Sequence, residues 1–522
     1  MVCSGPTDAL PSAHWLREQR GPLAFGLALG VLLLGAFFAA SYLPMVDLPQ
    51  HAAQISIWQH LHDPQLPEMR AFELNLRTPY LGAYALARGL STWLGVLPAL
   101  KVVVWTAVVG HWAAFAWLVR QLRYPPWLGV LGLPLGMGYG FYFGFISFIF
   151  ALPFGLCSVC LALRHRTRPT LASGLGLGAA LCATLGTHGF ALGLTLVLVA
   201  PLLLRGNGTL VARGVPLVAP ALLILLWLMP GSSARSIGLT IWEPRVLELL
   251  QVPALLLAAS GADAAATTFG VILLALIGLS FGRPSPALER QLPLLVLLLG
   301  YCLFPLSFGG FTPLHPRFAA FMVPASLLFF EPRRQAPRRL LASGVALSTL
   351  AWLGLFLVRL QRFERETEPV RNFVQLMPSN LRIRPLVFER ESRAFPRLPT
   401  FLHLSAYYVP EKAGVQGYSF AQYPTSVIRY RPEVVPSMSG GAEWHPEWFD
   451  AAAEQDGYDC FLVHSERDRL QELFGTRGAE LELVFREGDF WAYLTRSAFS
   501  ALSARIQETK QREQSMVVSR SR

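Results

Sequence analysis

The sequence predicts a polytopic α-helical membrane protein with a small C-terminal extracytoplasmic α/β domain. Three observations predict it. Apolar runs of roughly 18 residues or more recur, as at 21–43, 171–204 and 340–358, and each can cross a hydrocarbon core about 30 Å thick. Charged residues make up 15% of the chain, against about 25% in soluble domains. Arginine collects in short segments between the apolar runs, as the positive-inside rule expects of cytoplasmic loops. A backbone in lipid must satisfy its own hydrogen bonds, so the runs are helices.

A polar leader, 1–20, precedes the first run. That run has no small-x-small cleavage site after it and reads as a retained span rather than a signal peptide. The formal net charge of +11 follows from the arginines of the loops, so no nucleic-acid partner is expected. Of the six cysteines, Cys157, Cys160, Cys182 and Cys302 lie in apolar runs, while Cys3 and Cys460 stand alone. Cys157 and Cys160 have C-x-x-C spacing but no second ligand pair, which reads as helix packing.

Six segments are basic: Arg17 with Arg20, Arg120 with Arg123, 164–168, Arg205 with Arg213, Arg283 with Arg290, and 333–339. If all are cytoplasmic, an even number of spans separates each from the next. Pairs at 127–140 with 142–163, 171–185 with 188–204, 215–229 with 267–281, and 293–307 with 317–330 satisfy this, and 340–358 then exits. Between Arg20 and Arg120 lie three apolar segments, 21–43, 79–97 and 98–119. The segment 79–97 is Gly- and Ala-rich and carries Arg88 at its middle, where a charge is costly. It is therefore expected to be interfacial or re-entrant. About eleven spans result, within a range of about 10 to 13, with the N-terminus cytoplasmic and the C-terminus outside.

The transmembrane domain then covers 21–358, with a first outer loop at 44–78. Residues 359–500 mix charge with short apolar stretches, Phe461-Leu462-Val463 and Trp491-Ala492-Tyr493-Leu494 among them. With a helix at 466–474 between strands, they read as the outer α/β domain. The tail 501–522 is polar and expected to be disordered. The sequon Asn207-Gly208-Thr209 falls in a cytoplasmic loop and carries no weight.

This topology sorts the unusual residues to the outer side. The sharpest feature is Pro44-Met45-Val46-Asp47-Leu48-Pro49-Gln50-His51, directly after the first span. Pro49 suits a first helical turn and Asp47 its N-cap. Ala52, Ile55, Trp58 and Leu61 keep helical apolar spacing, which predicts a helix lying along the outer surface. His51 falls one turn after Asp47, so the two share a face. Together they could serve as general base and phosphate-binding group, or as a cap and a headgroup contact. His188 sits in a tight turn, Gly186-Thr187-His188-Gly189, where a structural role competes with a binding one. His315 and Arg317 lie in the turn Gly309-Gly310-Phe311-Thr312-Pro313-Leu314-His315-Pro316-Arg317; Arg317 could grip a lipid phosphate or anchor its helix. Glu243, beside Trp242 in the second outer loop (231–266), is a further acid. Tyr139, Phe141, Tyr142 and Phe143 read as an interfacial aromatic belt. His403, Tyr407 and Tyr408 could reach down toward the membrane, but read first as domain packing. No P-loop, Rossmann fingerprint or metal-spaced cluster is present, so nucleotide-driven transport is not expected.

An acidic residue just outside the first span, a long first outer loop with a helix, about a dozen spans and a C-terminal outer domain resemble the GT-C superfamily of integral membrane glycosyltransferases. Asp47-Leu48-Pro49-Gln50-His51-Ala52 is similar to the D-x-P-x-H-x motif of bacterial GT-C-like membrane proteins. Tyr142-Phe143-Gly144-Phe145-Ile146-Ser147-Phe148 and Arg317-Phe318 resemble further segments of that group. The resemblance covers most of the chain as architecture and only these stretches as motif. It implies a plasma-membrane transferase of the cell envelope that moves a sugar from a polyprenyl phosphate to an extracytoplasmic acceptor. It implies Asp47 as catalytic acid-base, with His51, His315 or Arg317 at the leaving phosphate. The lipid-linked sugar donor and membrane lipids are the implied partners. His51 stands where better-known branches carry a second acid, which leaves the use of a divalent metal open. Two other readings remain. A flippase for a lipid-linked glycan would need polar residues at mid-membrane depth on several helices, and the spans are nearly free of them. A non-catalytic scaffold with an outer binding domain would show no polar cavity at Asp47.

Overall fold

In a computed structural model of the chain, residues 13–228, 245–307, 313–438, 441–500 and 502–503 are described. Glu243, Trp242, the stretch 309–312 of the Arg317 turn, most of the leader and nearly all of the tail lie outside them. The chain is mainly helical, with a small sheet region toward the C-terminus. Among the described residues four helices are long and apolar enough to cross a membrane: Gln19–Ala39, Val96–Gln121, Ile146–Thr167 and Arg338–Leu376. Shorter apolar helices stand among them, including Leu171–Thr187, Gly189–Leu204 and Ala264–Gly278.

The helices form a bundle with two unlike ends. All six basic segments meet at one end. Phe25, just beyond Arg20, packs on Trp127. The Tyr124 hydroxyl, next to Arg123, donates to the Phe330 carbonyl at 2.7 Å. Arg166 pairs with Glu289, the Asn207 amide donates to the Arg166 carbonyl at 2.8 Å, and the Arg333 amide donates to the Ser280 carbonyl at 2.8 Å. The opposite end carries Asp47 and the C-terminal domain.

Two of the expected spans differ. The stretch expected as a span over 127–140 is broken into Pro126–Leu131, Gly132–Leu135 and Tyr139–Tyr142. Pro125, Pro126 and Pro134 remove amide donors there, and Gly129, Gly132 and Gly140 let neighbouring side chains approach within 3.0 Å of where a Cβ would sit. Such a break survives at membrane depth because protein covers it, as the burial of 128–142 shows. Tyr139, Phe141 and Tyr142 are buried within this stretch, so they form an internal aromatic cluster and not an interfacial belt. The segment expected over 317–330 is a short helix, Ala319–Phe329, only about 16 Å long at 1.5 Å per residue.

Helix Leu81–Leu94 begins beside His188, which the ring of Tyr80 touches edge-on at 5.0 Å. It ends at Gly95, which opens helix Val96–Gln121. Ser91 accepts a 2.6 Å hydrogen bond from Gln59 of helix Leu48–His60, and Trp93 is 87% exposed. The helix thus starts and ends at the Asp47 end of the bundle.

Helix Leu48–His60 departs from the expected surface helix: residues 48–57 are all buried. Ala52 and Ile55 belong to the main hydrophobic core, while Ala53 and Ile57 pack with Ala406, Val409 and Ile428 of the C-terminal domain. Its two glutamines hold the domain by backbone. Gln50 donates to the Tyr418 carbonyl and accepts from the Phe420 amide, each at 3.3 Å, and Gln54 donates to the Ile428 carbonyl at 3.3 Å. The helix is covered on its far side because the domain lies on it.

The domain is built on a five-stranded sheet in the order Val415–Gln416, Arg382–Val387, Cys460–His464, Phe490–Thr495, Leu481–Glu487. The first three strands are parallel and the last two antiparallel to their neighbours. Strands Cys460–His464 and Phe490–Thr495 fall on the two short apolar stretches, 461–463 and 491–494. The helix expected over 466–474 is shorter, Leu470–Phe474, and a further strand, Leu481–Glu487, follows it. Outside this sheet, Phe72–Leu74 of the first outer loop pairs antiparallel with Ile428–Tyr430. The Glu364 carboxylate accepts from the Ser41 amide at 2.8 Å, and Arg371 bonds both. The first loop and the domain therefore share one side of the bundle. A double variant Glu73→Cys, Arg429→Cys, at directly paired positions, should form a disulfide on mild oxidation, read as a mobility shift reversed by reductant. Failure to cross-link would remove the strand pairing.

Candidate functional site

A cavity of about 640 Å³ opens between the bundle and the domain, within the range of about 300–1,000 Å³ typical of ligand sites. Asp47, His51, His188 and Arg317 all line it. They come from three separate places in the chain, Asp47 and His51 sharing the start of one helix.

The backbone at Asp47 is held by the stretch that resembled a family motif. The Val46 amide donates to the Tyr142 carbonyl and the Asp47 amide to the Phe143 carbonyl, each at 3.0 Å. Gly144 has φ +81°, and a Cβ there would lie 2.7 Å from the Asp47 nitrogen. Gly144→Ala should therefore cost about 1–3 kcal/mol in backbone strain alone, seen as a lowered Tm. An unchanged Tm would mean that the two segments are not in contact.

Asp47 stands at the N-cap of its helix but makes no capping hydrogen bond. Its carboxylate turns into the cavity instead, with 16% of the side chain accessible and Oδ1 3.7 Å from His403 Nε2. Burial pushes its pKa up to about 8, Glu443 adds to the rise, and the Arg317 charge opposes it. A carboxyl poised near neutrality can both take and give a proton. His51 Nδ1 lies 2.5 Å from the Tyr84 hydroxyl. Burial holds its imidazole down to about 3, so it is neutral and cannot itself supply positive charge.

His188 caps helix Gly189–Leu204, its Nδ1 accepting from the Ala191 amide at 3.2 Å. A neutral imidazole has one acceptor nitrogen, so Nε2 carries the proton. That Nε2 faces Arg317 Nη1 at 3.3 Å, and guanidinium is also donor-only. Two donors therefore converge with no acceptor between them. The guanidinium lies 4.0 Å over the Phe145 ring, and its Nε donates to the Pro313 carbonyl at 3.2 Å. Arg317 is buried, and among the described residues no carboxylate lies within ion-pair distance of it. This arrangement calls for an anion.

His315 does not join the cavity lining. Its Nε2 pairs with Glu248 at 2.8 Å, its Nδ1 lies 3.3 Å from Arg245, and its ring packs on Tyr301. His315–Phe318 is a 3-10 turn, in which residues two apart point about 120° away from each other, so His315 and Arg317 diverge. Tyr407 does pack inside, stacked on Tyr42 at 4.1 Å, and Tyr408 is buried. His403 leaves that packing to contact Asp47, its ring stacked on Tyr418 at 5.2 Å. Burial holds His403 down to about 3.

Sequence reasoning did not find Tyr80, Tyr84, Tyr418, Tyr423, Glu443 and Trp444, all of which line the cavity. Each stands in unremarkable local sequence; Tyr80 and Tyr84 come from the start of helix Leu81–Leu94, while Tyr418, Tyr423, Glu443 and Trp444 reach the site only through the docked domain. Among the described residues no group of three His, Cys, Asp or Glu side chains is placed to hold a metal ion. No known protein family, curated protein or solved structure matches the chain.

Proposed function

We propose that the protein is a membrane glycosyltransferase of the GT-C type, moving a sugar from a polyprenyl-phosphate donor to an extracytoplasmic acceptor. The observation that carries this is the pair of converging donors, His188 Nε2–H and Arg317, facing an ionisable Asp47 across one cavity. The donor's phosphate would sit against Arg317 and His188. Its isoprenoid would leave past Val46, Ile146 and Leu306, apolar lining on the membrane side. Asp47 would take the proton of an acceptor hydroxyl as that oxygen attacks the anomeric carbon. The bond from that carbon to the phosphate oxygen breaks, and its electron pair leaves on the phosphate, where the two donors stabilise it. Fixed donors aimed at a developing charge are worth a few kcal/mol each. A polar cavity at Asp47 is what a bare scaffold would lack.

In this reading the chain crosses the plasma membrane about eleven times, with its basic end in the cytoplasm and its cavity and C-terminal domain outside. The chemistry then needs no nucleotide. The test is release of polyprenyl phosphate from a short-chain polyprenyl-phosphate sugar by the protein in proteoliposomes. Release that requires Asp47 supports the reading. No release with any of a panel of such sugars, in the presence of periplasmic glycan acceptors, removes it.

A further inference from the structure

We propose that the domain-side wall of the cavity, formed by Tyr418, Phe420, Tyr423, Glu443 and Trp444, is a saccharide-binding subsite that holds a pyranose ring of the acceptor. The word acceptor rests on the transferase reading; the saccharide chemistry rests on the wall itself.

The cavity's two sides differ in charge. The bundle side carries the buried cation Arg317 and the His188 donor, among aromatic Tyr80, Tyr84, Phe143, Phe145 and Phe148 and aliphatic Val46, Ile146 and Leu306. The domain side carries aromatic rings, tyrosine hydroxyls and a carboxyl group. A pyranose has an apolar C–H face and an edge of hydroxyls. Aromatic rings match the first, and hydroxyl and carboxyl groups match the second. A phosphate would be repelled by Glu443 and Asp47, and an isoprenoid would gain nothing from the hydroxyls.

The wall is also fixed in place. The Tyr418 and Tyr423 hydroxyls are 3.0 Å apart, and the Tyr418 ring lies parallel on His403, with 5° between planes. Glu443 accepts from the Gly441 amide at 2.8 Å and is 9% exposed. Trp444 stands where the wall meets solvent, 36% exposed. Arg390 lies 5.5 Å over its ring and donates to its carbonyl at 2.9 Å. Because His403 touches both Tyr418 and Asp47, a sugar on this wall sits one ring away from the carboxylate that would deprotonate it. Donor phosphate and acceptor sugar then occupy opposite walls, with Asp47 between them.

The test is saturation-transfer NMR on the full chain in an amine-oxide detergent, which carries no sugar, with maltotriose, cellotriose, chitotriose and mannotriose as probes. At least one trisaccharide should receive saturation. Trp444→Ala and Glu443→Gln should each weaken its binding about tenfold, and Tyr423→Phe should weaken it less. Native mass spectrometry of the same samples with a polyprenyl-phosphate sugar separates the two claims. Lipid binding without saccharide binding overturns the subsite alone, as does saccharide binding that survives Trp444→Ala in a protein that still binds lipid. Saccharide binding lost in these variants, in a protein that binds no lipid sugar, keeps the subsite and removes the transferase.

Discussion

Asp47→Asn should lower turnover by about 10²–10⁴-fold, the range for loss of a positioned general base, with Tm little changed because the side chain makes no capping bond. The amide keeps the shape and cannot take a proton. The pH profile carries the same claim. Only the deprotonated carboxylate acts as base, and burial pushes Asp47 up to about 8, so activity should rise with pH through that region. Glu443 raises the Asp47 pKa further. Glu443→Gln should therefore move the rise to lower pH, whatever it does to acceptor binding. A profile flat between pH 6 and 9, or one unmoved by Glu443→Gln, would take the base role from Asp47.

The second large effect belongs to Arg317. Arg317→Gln should cost about 10²–10³-fold in kcat, as loss of one preorganised donor to a developing charge does elsewhere. Its positive charge also holds Asp47 down, so the same variant should move the pH rise upward, opposite in sign to Glu443→Gln. Arg317→Lys should not restore activity. A lysine keeps the charge but neither the planar fork nor the stacking on Phe145. A merely structural Arg317 would lower Tm in both variants and leave the pH profile where it was.

What could be read from the sequence was what local chain geometry decides. Pro49 one turn ahead of Ala52 and Ile55 announces a helix, and a four-residue spacing puts His51 over Asp47. Long apolar runs announce helices such as Gln19–Ala39 and Ile146–Thr167. What could not be read depends on distant partners. Glu73 and Arg429, 356 positions apart, bring the first loop and the domain together, and only then do Tyr418 and Glu443 meet Asp47. The same docking buries the helix expected at the surface. His315 stays off the cavity lining for a smaller reason: residues two apart diverge, by about 120° in the 3-10 turn that holds it and by about 160° in an α-helix, so nearness in sequence did not place it beside Arg317. The break in 126–142 follows from prolines and glycines that count as apolar in a hydropathy run while removing or freeing backbone groups.

The central claim is that one anion, a lipid phosphate bearing a sugar, sits between Arg317 and His188. Native mass spectrometry of the detergent-purified protein tests it most directly, with polyprenyl-phosphate sugars added to the wild type, Asp47→Asn and Arg317→Ala. The account predicts one bound lipid-phosphate sugar in the wild type, retained and unturned by Asp47→Asn, and lost in Arg317→Ala. Absence of any such adduct, or an adduct indifferent to Arg317, would contradict it.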